Sequence, residues 1–165
     1  MTLLTALGLS ASPPTSPVPN YAPYALIFNF VWAYGLLSSR TLKQYYGIDH
    51  NVSPRQDLRK YGAAAVSSGK ITQKQLDRLH RNEAAHANAV ENYTLLVGAV
   101  SMASWAGVES TIINRSVAVY TLARLAHAAV YIGIDRSGWS QLRGICWWIG
   151  NLSCLGLLWR SFPSI

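Results

Sequence analysis

Four side chains in the segment "YTLARLAHAAVYIG" could do chemistry together: Tyr120, Arg124, His127 and Tyr131. At 100° per residue they fall within a stripe about 80° wide on one helix face. A guanidinium holds a carboxylate through paired hydrogen bonds, and an imidazole and two phenols beside it can orient what it holds. The surroundings are apolar. Ionisable groups in such a setting are costly unless they face a bundle interior or a wet cavity.

A second set lies upstream. Asn88 and Glu91 are three apart and share a helix face, with Ala84 one turn earlier and Arg81 nearer the polar end. A carboxylate, an amide and several arginines meeting at one level suit a zwitterionic, multiply charged ligand. Other readings of the same residues stand beside this one. Arg124 and Glu91 could form a buried interhelical ion pair, His127 could bond a backbone carbonyl, and Tyr131 could be an interfacial aromatic. Arg143 could extend toward lipid headgroups, and Arg115 and Arg160 read as boundary anchors. His50, His80 and His86 show no metal-like pairing, so no metal is assigned. Cys146 and Cys154 lie in one apolar segment at neither a zinc nor a disulfide-framework spacing.

The elements that must position these groups follow from hydropathy and charge. The chain has 165 residues, 50% of them hydrophobic and only 13% charged, about half the usual charged share. Four apolar segments emerge, at about 21–39, 81–105, 111–134 and 142–159. Each approaches the ~20 residues needed to cross a bilayer. A Pro/Ser-rich arm, 1–20, precedes them. A basic loop at 40–80 carries most of the cationic residues between the first two segments, and its turn signals include "DHNVSPRQD" and "SSGK". The net charge of +7 is concentrated in that loop rather than along a polar face, which argues against nucleic-acid binding. The positive-inside rule places the loop in the cytosol and both termini on the far side. The expected fold is therefore an all-α, integral membrane four-helix bundle. A soluble four-helix protein is the alternative, but so small a chain could hardly bury three helices that are apolar on most faces.

These motifs resemble the MAPEG family, the membrane-associated proteins in eicosanoid and glutathione metabolism. "RNEAAHANAVENYTLL" is similar to its second-helix signature. "RLAHAAVYIG" resembles its third-helix pattern, as seen in microsomal prostaglandin E synthase, and "SPRQDLRKYG" and "LRGICW" resemble its loop and fourth-helix opening. The resemblance spans about residues 20–160. It implies a homotrimer in the endoplasmic reticulum or another internal membrane, binding glutathione between protomers near the cytosolic face. A lipophilic small molecule would be the second substrate. Carried over by motif, the glutathione-binding residues are Arg40, Asn88, Glu91, Arg124, His127 and Tyr131, and Arg143 stabilises the thiolate. The chain departs from the family at Ala84, where an arginine is usual, at Thr94 for proline and at Gly144 for serine; the match to Arg143 could also slip to Arg136. Some family members bind lipids or partners without glutathione chemistry, so a non-catalytic member is the second functional reading.

Overall fold

A computed structural model describes residues 1–10 and 16–162. Among the described residues every regular element is helical. In order they are α1 (Leu3–Ala6), α2 (Ala22–Phe30), a π-helical turn (Val31–Leu36), α3 (Ser39–Tyr45), a 3-10 turn (Pro54–Gln56) and α4 (Asp57–Ser67). There follow α5 (Gln73–Trp105), α6 (Ser110–Gly133), α7 (Ser137–Ser140) and α8 (Leu142–Ser161).

The centre of the molecule is α5, α6 and α8 packed against one another, with α2 laid on α5 and α6. Their shared core holds Leu96, Ala99 and Val100 of α5, Ile113, Val117 and Tyr120 of α6, and Cys154 and Leu157 of α8. Gly150 of α8 faces the polar stripe of α6: a Cβ there would lie 3.4 Å from the Arg124 side chain and 3.8 Å from the Tyr120 ring, ordinary contact distances.

The expected segments correspond to helices, with different limits. α5 begins at Gln73, well before the apolar run, because Thr72 and Gln75 form a reciprocal capping box. It ends at a left-handed Gly107, φ 71°, with the Val108 amide bonded to the Ala103 carbonyl at 2.9 Å, the signature of a Schellman cap. The first segment is not one α-helix: α2 gives way to the π-helical turn at Val31. The loop at 40–80 is itself folded. α3, α4 and the start of α5 enclose a small second core of Ile48, Leu58, Ala65, Ile71, Leu76 and Leu79.

The expected segments coincide with helices that carry polar and charged residues along their length. Among the described residues no helix is long and apolar enough to cross a membrane. The physical reason lies in the sequence of each helix. The first run is divided, the first half of α5 is polar, α6 carries Arg115, Arg124 and His127, and α8 carries Arg143, Asn151 and Arg160. Polar side chains are nonetheless turned inward: Asn29, Asn82, Asn92, Asn114, Arg124, His127 and Asn151 are buried. Large apolar ones are turned outward, among them Ile27, Phe30, Leu122, Trp148, Leu152 and Trp159.

Candidate functional site

The stripe on α6 forms as its spacing predicts. Tyr120, Arg124 and His127 are buried and Tyr131 is half-buried. Arg124, 3% exposed, reaches across to α5, where its Nη2 donates to the Asn88 carbonyl at 3.2 Å and to Asn88 Oδ1 at 2.5 Å. One turn on, the His127 and Tyr131 rings meet edge to face with centroids 5.5 Å apart. The Arg143 guanidinium of α8 lies over the Tyr131 ring, 4.4 Å from its centroid. That is cation–π distance. The residues brought together are thus Asn88 with Arg124, and His127 with Tyr131 and Arg143.

Glu91 is elsewhere. It is exposed, and no ion pair joins it to Arg124 or Arg143 among the described residues. The alternative of a buried Arg124–Glu91 pair is therefore not what forms. Asn88 turns to α6, while Glu91, about 60° further round the helix, opens on a groove of about 470 Å³. Tyr34, Ser39, Arg55, Glu83 and His86 line it as well. Three of these, Arg55, Glu83 and His86, were not legible as site residues. A signal for two of them was present: Glu83 and His86 lie three apart on the same side of α5. Arg55 comes from the folded loop, and no local pattern points to it.

The π-helical turn shapes the groove. It supplies Tyr34, and the carbonyl of Ala33 meets His86 Nδ1 at 3.0 Å. The loop is fastened beside it by a buried cation. Lys43, 1% exposed, lies 3.5 Å from Asp57 and 3.3 Å from Glu83 and donates to the Pro54 carbonyl. Asp57 also accepts from the His50 amide at 3.2 Å.

Arg40 faces the loop. Its Nε and Nη2 donate to Asp49 at 3.0 and 2.6 Å, and Nη2 donates to Asn51 at 2.5 Å. The hydrogen bonds from Arg40 hold the Asp49 carboxyl below its ordinary range, against a smaller opposing effect of burial. The same bonds hold the Arg40 guanidinium above its ordinary value. Arg81 lies at the end of α6, with Nε and Nη2 both 3.4 Å from the Ile132 carbonyl. A cation there is favoured by the helix dipole.

Chemically, one surface offers a cation stacked on a phenol beside an imidazole. Another offers carboxylates, an imidazole and an arginine around an open groove. A MAPEG family model matches residues 21–162 of the chain. No curated protein and no solved structure matches it.

Proposed function

The chain belongs to the MAPEG family, whose membership supports a membrane-associated role in glutathione or eicosanoid metabolism, and from that premise we propose that it is a membrane-bound glutathione-dependent transferase or peroxidase acting on lipophilic electrophiles. The observation that carries the reading is the stack of Arg143 on Tyr131 beside His127. It is a cation held in place but half-exposed, with no carboxylate partner among the described residues. A free thiol has a pKa of about 8.5, and a nearby cation lowers it toward neutrality. Glutathione, when bound, supplies the nucleophilic sulfur.

The chain's own residues divide the remaining work. Arg143 holds the sulfur as thiolate, and Tyr131 fixes the guanidinium in place. His127 orients the ligand. Glu91 takes the ammonium group in the groove, whose volume falls in the range usual for ligand sites. Arg55 stands at that groove and replaces the cation absent at Ala84, taking a carboxylate. Arg124 acts chiefly as a positioning residue, since its exposed area is small and its Nη2 holds Asn88. Arg40 reaches a carboxylate only by leaving Asp49.

Glu91 and Arg143 form no ion pair among the described residues, which supports a composite site completed by a neighbouring copy in a homotrimer. The inward polar and outward apolar distribution supports a bundle embedded in an internal membrane, such as the endoplasmic reticulum, by joint packing of helices that are individually too polar. The test is conjugation of glutathione with a general aryl-halide electrophile by the detergent-solubilised protein. Wild type should show saturable turnover, and Arg143→Ala should lower it at least ~10-fold with the oligomer retained. Absence of turnover in the wild type counts against the reading.

A second reading, a non-catalytic member that binds a lipid or protein partner, is favoured by the engagement of Arg40 with Asp49 and by Ala84 and Gly144. It expects function to survive Arg143→Ala.

A further inference from the structure

Where the π-helical turn meets α5, three aromatic rings close on one another. Phe30, at the end of α2, and Tyr34, in the turn, stack with centroids 4.7 Å apart and 22° between their planes. Tyr93 of α5 makes T-shaped contacts with both, 5.9 Å from each and at 62° and 83°. These are favoured geometries for aromatic pairs, so the rings hold one another in place. The cluster is not closed. Phe30 is 49% and Tyr34 41% exposed, and Tyr93 is half-buried. Tyr34 is also a wall of the groove that Glu91, Arg55 and His86 line. One ring thus belongs both to the polar groove and to the aromatic cluster, and the two surfaces are continuous. It stands in a π-helical turn, a geometry frequent at functional positions.

The faces of Phe and Tyr rings carry negative charge density. An arene that a thiolate can attack has the opposite character. The halogen and nitro groups that activate it draw charge out of the ring and leave its face positive. A positive face stacks on a negative one, whereas an aliphatic electrophile gains only apolar burial from the same surface. We infer that Phe30, Tyr34 and Tyr93 form a subsite for an electron-poor arene, so that the preferred second substrate is an aryl halide rather than an aliphatic electrophile.

This inference rests on the glutathione reading and names the class of electrophile within it. The step balances without an oxidant. A carbon–sulfur bond forms at the ring carbon that bears the halogen, the carbon–halogen bond breaks, and halide leaves with the bonding pair. The thiol proton has already gone to solvent when the thiolate forms.

The test compares two conjugates of the same tripeptide, S-dinitrophenyl-glutathione and S-hexyl-glutathione, by calorimetry with the detergent-solubilised full chain. It reads binding and needs no turnover. Wild type should bind the dinitrophenyl conjugate at least ~5-fold more tightly than the hexyl one. Phe30→Leu keeps an apolar side chain and removes a ring, so that preference should shrink at least ~3-fold while the hexyl affinity holds. Phe30→Tyr keeps a ring and should keep the preference. Equal affinities in the wild type overturn the inference and leave the glutathione reading standing. A preference that survives Phe30→Leu places the arene elsewhere and overturns it as well. If that variant does not fold, Tyr93→Leu takes its place with the same expected loss. If neither conjugate binds, the glutathione reading fails and this inference falls with it.

Discussion

Lys43 and Arg124 are both cations buried almost completely, at 1% and 3% exposure, yet their surroundings are opposite. Lys43 is met by Asp57, Glu83 and the Pro54 carbonyl. Arg124 is met by one neutral asparagine and leaves two nitrogens without an acceptor among the described residues. The first arrangement closes on itself and fastens the loop to α5. The second is open toward a partner that the described residues do not supply. A buried charge that is already neutralised is structural, whereas one left unneutralised is a place to look for a ligand.

The contrast breaks most visibly if Lys43 is replaced. Lys43→Met leaves Asp57, fully buried, without its lysine, with only the His50 ring at 3.2 Å beside it. Breaking one side of a buried pair costs about 3–5 kcal/mol, which at this chain length lowers Tm by on the order of 10 °C. Thermal unfolding in detergent measures it, and a change below ~1 kcal/mol would place Lys43 with Arg124 rather than against it. Arg124→Met is the matching experiment. It bares no carboxylate and removes a buried charge that has no counter-charge among the described residues, so stability should hold or rise rather than fall as in Lys43→Met.

The smallest effect concerns Arg40 and Asp49, an ion pair at the loop surface. Asp49 is held below its ordinary range by Arg40. A carboxylate whose folded pKa is depressed contributes stability that is present above its unfolded pKa, about 4, and lost as pH falls through the lower folded value. Asp49→Asn should therefore lose a small contribution at neutral pH, match wild type at pH values below the folded pKa, and so flatten the acid limb of stability. An equal loss at pH 3 and pH 7, or a larger one at pH 3, would show that the pair does something else.

How much of this was legible in the sequence differs between the same two regions. Periodicity alone placed Tyr120, Arg124, His127 and Tyr131 on one face, and they do share it, because a helix fixes neighbours three and four apart. Asn88 was legible as an inward residue and meets Arg124. Glu91 was assigned the same face and is not on it in effect, since 60° of rotation carries it from the α6 contact to the open groove. The fold of the loop was not legible. Lys43, Asp57 and Glu83 come together across 14 to 40 positions, and the polar composition that suggested turns hid a compact core around Leu58, Ile71 and Leu79. The same limit applies to Asn114, which ties the N-terminal arm to α6 by donating to the carbonyls of Ala6 and Pro19 and accepting from the Tyr21 amide. The π-helical turn also left no trace, because its residues are as apolar as the helix before it. Four helical segments could be placed from their apolar length, and several of the polar residues within them turn inward.

The most direct measurement is a calorimetric titration of the detergent-solubilised wild-type protein with glutathione. Saturable binding, weakened at least ~10-fold by Glu91→Gln and separately by Arg143→Ala, is the predicted result. Saturable binding that neither substitution weakens, or no saturable heat at all, would contradict a site built from Glu91 and Arg143.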